Sequence, residues 1–387
     1  MDGFNFCFNT RVTFGVGVRS DLPPILDQNA WQRVGIVVDH SLQNVQRVTD
    51  LIDLLRKTCR HLVLGWCEVA EPTYESLDSM RGLYANEHLQ VIVGVGGGST
   101  LDMAKALAVL VHNREPAIHY RGFDKMTEPV LPIISIPTTA GTGSEVTPNA
   151  SFVDAREKRK MGINGEAVRP RYALLDPELT LSCPVRPSVS AGADSLVHAT
   201  EAYVAKKTNP LARLFAREGF GRVFNTLPRI VDAPGDLALR VQVMYGAFLS
   251  GVALMNSGTG PAAALSYPLG VHHRVPHGLA GAVFLPYVAQ GNVEKGVYDY
   301  ADLYRVMAEA DLNLPRNQQA AQFVEAMRAA WKRLHIPFSL NEFGVMADDW
   351  DRLVSDTLDL KGALEQNPVP FGEAEIRKTL REMTSKE

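Results

Sequence analysis

The chain has 387 residues, 46% hydrophobic and 21% charged, with Lys+Arg at 39 against Asp+Glu at 43 and a formal net charge of −4. This length allows two or three domains with sizeable cores, and the composition excludes a disordered or fibrous chain. The slight acidic excess argues against a nucleic-acid binder, and no apolar run nears the roughly 18 residues of a membrane span. The N-terminus lacks the basic and apolar regions of a signal peptide, and Cys7, Cys59, Cys67 and Cys183 are scattered without zinc-like spacing. A reduced, cytoplasmic enzyme is the expectation.

Residues 34–38 form a short β-branched run ending at Asp39, after which Val45, Val48, Leu51, Ile52 and Leu55 repeat on one helical face. Residues 61–64 are the next expected strand and residues 74–86 the next helix. Residues 89–95 read as a buried strand that runs into glycines and a helix over 99–111, and 132–136 is another apolar run. Short apolar strands alternating with helices predict a parallel sheet covered on both faces. From Ser190 the pattern turns helical, over 190–206, 209–227, 237–256, 300–310, 317–334 and 346–360. Pro184 and Pro187 mark the change. The expected organisation is an α/β domain over residues 1–183 and an all-α domain over 184–387.

Gly96-Gly97-Gly98-Ser99 follows a strand and opens a helix. Glycines let a backbone approach an anion closely, and a helix N-terminus offers N–H donors and a favourable dipole end. Ser99 and Asp102, three apart, also have the spacing of an N-cap pair. A plain strand–helix turn has the same signature, and the run is not the GxGxxG fingerprint. Asp39, at the end of an early strand, suits a ribose 2′-OH and would repel a 2′-phosphate; it also suits a simple turn. The loop from Pro137 to Glu145, with Thr138, Thr139 and Thr142, is a second candidate nucleotide contact. Together the two loops and Asp39 favour a dinucleotide.

Asp194 and His198 stand four apart on an expected helix, so both project from one face, as a divalent metal requires. His277 is a third candidate ligand, preceded by His272, His273 and Arg274. A surface Asp–His pair and a polar histidine loop are the alternatives. One carboxylate and two imidazoles suit Fe(II) or Zn(II) with a position open to a substrate oxygen.

These segments resemble a known family. Gly96 through Lys105 read GGGSTLDMAK, similar to the GGGSxxDxAK motif of the iron-containing (group III) alcohol dehydrogenases. Residues 136–147 (IPTTAGTGSEVT), 176–180 (DPELT), 192–203 (GADSLVHATEAY), 267–270 (YPLG) and 276–280 (PHGLA) resemble further motifs of that family. The resemblance implies a dehydroquinate-synthase-like fold, an α/β dinucleotide-binding domain followed by an all-α domain. It also implies NAD(P)-dependent interconversion of an alcohol and a carbonyl. By the same resemblance Asp39 meets the adenosine ribose, which favours NAD(H) over NADP(H). Gly97, Gly98 and Ser99, with Asp102 beside them, meet the pyrophosphate, and Thr138, Thr139 and Thr142 line the second loop. Lys160 and Leu179 are further implied cofactor contacts, and Asp194, His198 and His277 are implied metal ligands.

The departure lies where the family reads xHxxxHPLG. This chain has Ala263 in place of a fourth ligand and Tyr267 in place of a second histidine. A three-ligand, weakened site is therefore expected, with water or substrate at the empty corner and His273 as a nearby substitute. Tyr267 is the expected proton donor or acceptor. Other readings are a metal-independent reductase resembling the maleylacetate reductases, a lyase resembling dehydroquinate synthase, and a nucleotide-binding pseudoenzyme. The 136–147 stretch speaks against the second. The expected partner is a small alcohol or carbonyl compound, with His272, His273 and Arg274 suiting an anionic one. No nucleic acid or membrane is expected, and homodimers are common in the family.

Overall fold

A computed structural model describes residues 3–68 and 71–384. Two compact units emerge: Phe8–Pro184, and Val185–Glu387 joined by the residues up to Cys7. The division falls one residue past the expected boundary, and the N-terminal residues leave the α/β unit. The reason is local. Cys7 donates its N–H to Asn256 Oδ1 at 2.7 Å and accepts from Asn256 Nδ2 at 3.0 Å, while Phe6 stacks on Phe215 with ring centres 5.7 Å apart.

The α/β unit runs β1 (Arg11–Phe14), α1 (Leu22–Gln28), β2 (Arg33–Asp39), α2 (Gln46–Thr58), β3 (His61–Cys67), α3 (Tyr74–Arg81), β4 (Val91–Gly96) and α4 (Gly98–Leu110). It continues with β5 (Gly122–Phe123), β6 (Ile133–Pro137), β7 (Asn149–Asp154), β8 (Arg159–Asn164) and β9 (Tyr172–Leu175). Six strands form a parallel sheet in the order β1-β9-β6-β4-β2-β3, and β5-β8-β7 form a small second sheet. Both faces of the main sheet are covered, as the continuous apolar runs require. Val91, Val93 and Val95 of β4 join one core with Leu51, Ile52 and Leu55 of α2, and Ile92 joins another with Met103 and Leu107 of α4. Each such buried side chain contributes roughly 1.5–3 kcal/mol of transfer free energy.

The sheet order reverses at β2 and β4: from β2 the chain steps outward to β3, then crosses back to β4 on β2's other side. In open α/β sheets ligands bind at the carboxyl ends of strands around such a reversal. Those ends carry Asp39 and the Gly96–Gly98 run.

The second unit is helical: α5 (Val185–Val204), α6 (Pro210–Asp232), α7 (Leu237–Met255), α8 (Pro261–His273), α9 (His277–Glu294), α10 (Tyr300–Tyr304), α11 (Arg316–Arg333), α12 (Trp350–Leu358), α13 (Lys361–Leu364) and α14 (Glu373–Thr384). Helices α8 and α9 were not expected from periodicity. They contain Pro268 and Pro286, and their buried residues spread around the helix instead of forming one stripe. Helix α7 corrects the expectation about membrane-length segments. Its 19 residues reach a mean hydropathy of 1.5 over their best window, enough by length and composition to cross a membrane. Most of that window (61%) is buried within the protein, and Arg240 inside it donates to Ser188 Oγ at 2.6 Å, as in a core helix.

Candidate functional site

In the α/β unit, β4 and β6 run side by side with Gly96 opposite Pro137, and Thr138 N donates to Gly96 O at 2.9 Å. The two candidate nucleotide loops therefore lie next to each other. Gly97 is the N-cap of α4 and makes no side-chain cap hydrogen bond; a helix N-terminus of this kind is a favourable place for an anion. This corrects the expected Ser99–Asp102 cap: Ser99 lies within the first turn, and Asp102 does something else. Its Oδ1 accepts from Ser144 Oγ at 2.6 Å and its Oδ2 from Ser151 N at 2.9 Å, which ties the second loop and β7 to α4.

The glycines differ in what demands them. A Cβ on Gly98 would stand 2.7 Å from Thr142 Cγ2, and one on Gly96 would stand 2.6 Å from Thr100 Cβ. A Cβ on Gly97 would meet only Thr139, at an ordinary 3.4 Å, and its φ of −74° suits any residue. Packing explains Gly96 and Gly98. It leaves Gly97 as an open cradle that a Cβ would fill, which is what close approach of a pyrophosphate requires.

Asp39 Oδ1 accepts from Ser41 N at 2.9 Å and Ser41 Oγ at 2.7 Å, leaving Oδ2 without a partner among the described residues. Lys160, on β8, is paired with Glu71 Oε2 at 2.9 Å. Leu179 is 1% exposed and belongs to the core shared with Ile136 and Tyr172.

Under the second loop lies a buried charge that sequence reasoning missed. Lys105 is fully buried, donates to Asn149 O at 2.7 Å and lies 3.5 Å from Asp102. Burial pushes its pKa down against the pull of Asp102 and Glu145, and burial likewise pushes the Glu145 carboxyl up. The GGGSTLDMAK run contained the lysine; nothing local in it told of Asn149, 44 residues away.

In the helical unit, Asp194 and His198 on α5 and His277 at the start of α9 converge, with one potential ligand atom from each lying within 4.8 Å of the others. Asp194 Oδ1 is 3.4 Å from His198 Nε2, on side chains only 4% and 7% exposed. Asp194 Oδ2 and His198 Nδ1 are buried with no hydrogen-bond partner. Orphaned polar atoms of this kind are costly unless something fills them. A carboxylate with two imidazoles is the donor set of a catalytic zinc or ferrous site, so the residues fit a divalent cation. Gly278 makes the convergence possible: a Cβ there would collide with Ser190 O and stand 2.8 Å from Asp194 Cβ.

Helix α8 supplies the third side. Its N-terminus is held by Glu201 of α5, whose carboxylate accepts from Gly260 N and Ala262 N at 2.7 Å each. Glu201 is 4% exposed, and desolvation raises its pKa to about 7 despite these bonds. Tyr267 presents its ring edge-on to His277 with centres 5.2 Å apart. Ala263, one turn earlier, lies on the same face of α8 and is buried, with no donor atom to offer. The other expected residues turn elsewhere. His273 is not among the converging groups and stands 3.9 Å from Asp349 Oδ2, while His272 is bonded to Asp356 at 2.7 Å. Arg274 is exposed in a left-handed turn at φ 57°.

Residues 9–177 match the family described as iron-containing alcohol dehydrogenase, and residues 188–384 match the C-terminal region of the Fe-containing alcohol dehydrogenase family. The long-chain-alcohol dehydrogenase 1 of Geobacillus thermodenitrificans is 30% identical over 366 residues, 94% of this chain and 92% of that one. The NAD-dependent methanol dehydrogenase of Bacillus methanolicus is 28% identical over 355 residues, 92% of this chain and 93% of that one. A solved structure of a 1,3-propanediol oxidoreductase superposes with a TM-score of 0.93 at 26% identity, covering 99% of this chain and all (100%) of that one. With both units matched end to end, the chain belongs to the iron-containing alcohol dehydrogenase family.

Proposed function

We propose that this alcohol dehydrogenase and aldehyde reductase works with NAD(H) in preference to NADP(H) and holds Fe(II) or Zn(II) on Asp194, His198 and His277. The observation that carries the reading is the buried convergence of one carboxylate and two imidazoles, with orphaned atoms at Asp194 and His198. When bound, the cation supplies polarisation of the substrate oxygen and the nicotinamide supplies hydride exchange.

The chain's own residues do the rest. Gly97 and the first turn of α4 receive the pyrophosphate, Thr139 and Thr142 flank it, and Asp39 Oδ2 accepts from the ribose 2′-OH while repelling a 2′-phosphate. Asp102, by holding Ser144 and the Ser151 N–H, keeps the second loop in register with the first. Tyr267, against His277, holds or gives up the proton of the reacting oxygen at its phenol O–H. The empty corner left by Ala263 accommodates water or substrate.

The substrate class we infer is a small alcohol or its carbonyl counterpart. His272 is taken by Asp356, whereas His273 Nε2 lies 3.9 Å from Asp349 with no hydrogen bond, so an anionic substrate would find Arg274 and His273 of that trio. A cytoplasmic location and a homodimer are proposed with it, on the scattered cysteines and on the family resemblance respectively. The test is formation of NADH from NAD+ across primary alcohols and diols, and its consumption with aldehydes, on protein loaded with iron or zinc. Nucleotide binding without turnover anywhere in the panel would overturn the reading.

A further inference from the structure

Ser266 lies inside α8, 1% exposed, between the metal ligand candidate His277 and its own helix. Its Oγ is 2.7 Å from Ala263 O, a backbone acceptor one turn back, and 3.2 Å from His277 Nδ1. A serine hydroxyl has one hydrogen and two lone pairs. At the shorter contact the partner is a carbonyl oxygen, which only accepts, so the hydroxyl hydrogen goes there. Toward His277 the oxygen is then left as an acceptor. Nδ1 must carry the imidazole hydrogen, and Nε2 keeps its lone pair.

We infer that Ser266 is a positioning residue that locks His277 in the Nδ1–H tautomer, so that Nε2 is the metal-ligating atom. The inference rests on the proposed metal site for its consequence but not for its geometry. The lock matters more in this chain than a fourth-ligand site would require. With Ala263 giving no donor, three ligands carry the whole affinity, and a ring that samples the other tautomer withdraws one of them. Groups that orient a metal-ligating histidine in this way typically alter metal affinity by about 10–100-fold. Tyr267, packed edge-on at 5.2 Å, restricts the same ring sterically.

The test compares wild type, Ser266→Ala and Ser266→Thr, the last keeping a hydroxyl at the same atom. The first readout is the nitrogen chemical shifts of His277 in metal-free protein, at alkaline pH where the ring is neutral. Wild type should show the Nδ1–H tautomer, Ser266→Ala a shift toward Nε2–H, and Ser266→Thr, where it folds, a return toward wild type. The second is zinc affinity against a competing chelator, expected to fall about 10–100-fold in Ser266→Ala. A wild-type ring in the Nε2–H form, or equal tautomers in wild type and Ser266→Ala, overturns the inference whether or not metal binds. A wild type that shows the Nδ1–H lock yet takes up no metal overturns the metal reading instead and leaves the lock standing.

Discussion

Gly98 and Thr142 stand so close that a Cβ on the glycine would lie 2.7 Å from the threonine methyl, whereas a Cβ on the adjacent Gly97 would meet nothing nearer than 3.4 Å. Packing against Thr142 accounts for Gly98, and for Gly97 we propose that the demand comes from a bound pyrophosphate. Gly97→Ala is expected to keep the wild-type melting temperature and to lose nucleotide affinity by about 100-fold, roughly 3 kcal/mol. Gly98→Ala is expected to cost roughly 1–3 kcal/mol of stability by overpacking. Calorimetry of ligand binding beside thermal unfolding separates the two, and normal nucleotide affinity in Gly97→Ala removes the phosphate cradle.

Asp39 should set the choice of cofactor. Its Oδ1 is taken by Ser41 and its Oδ2 remains for a ribose hydroxyl. Wild type is expected to bind NADH about tenfold or more tightly than NADPH, the scale of one interaction worth about 1.4 kcal/mol. Asp39→Asn, which keeps an oxygen for Ser41 but removes the charge, should narrow that ratio. Fluorescence titration with both cofactors measures it; equal or tighter NADPH binding by wild type would sink the assignment.

Glu201 should make stability fall as pH rises. Burial lifts its carboxyl from an ordinary 4.5 to about 7, so the folded protein holds that proton more tightly than the unfolded chain. The stabilisation is complete below the ordinary value and is lost as pH rises through about 7. In metal-free protein the stability of wild type relative to Glu201→Gln, which does not titrate, should drop by up to about 3 kcal/mol across that window. Denaturant unfolding at a series of pH values gives the difference. A flat difference would mean that Glu201 is ionised throughout, held by the N–H groups that open α8.

Much of this was legible in the chain because the deciding contacts are local. The runs that became β2 and β4, the glycines after β4 and the four-residue spacing of Asp194 and His198 are one-dimensional signals, and each maps onto its element within a few residues. Helices α8 and α9 were hidden because burial around the helix erases the 3.6-residue stripe and internal prolines argue against a helix. The β7–β8 hairpin was hidden too, because polar Asn149, Ser151, Arg159 and Lys160 interrupt its apolar residues, so neither strand reads as a continuous apolar run. Asp102 misled because Ser-x-x-Asp has the spacing of a cap, while its real partners are Ser144 and Ser151, more than 40 residues on. The roles of Lys105 and Glu201 depend on which backbone groups arrive from elsewhere, and that of Ser266 on the arrival of the His277 ring; no spacing encodes either.

Asp194, His198 and His277 are proposed to hold a divalent cation with no protein ligand at the corner faced by Ala263. The direct measurement is titration of Fe(II) and Zn(II) into wild type, His277→Ala and Ala263→His, with affinity read by competition against a chelator. Wild type should bind one equivalent, His277→Ala should bind none at the same concentrations, and Ala263→His should bind more tightly by tenfold or more, the scale of one added ligand bond. Equal binding by wild type and His277→Ala, or no gain from Ala263→His, would contradict the claim.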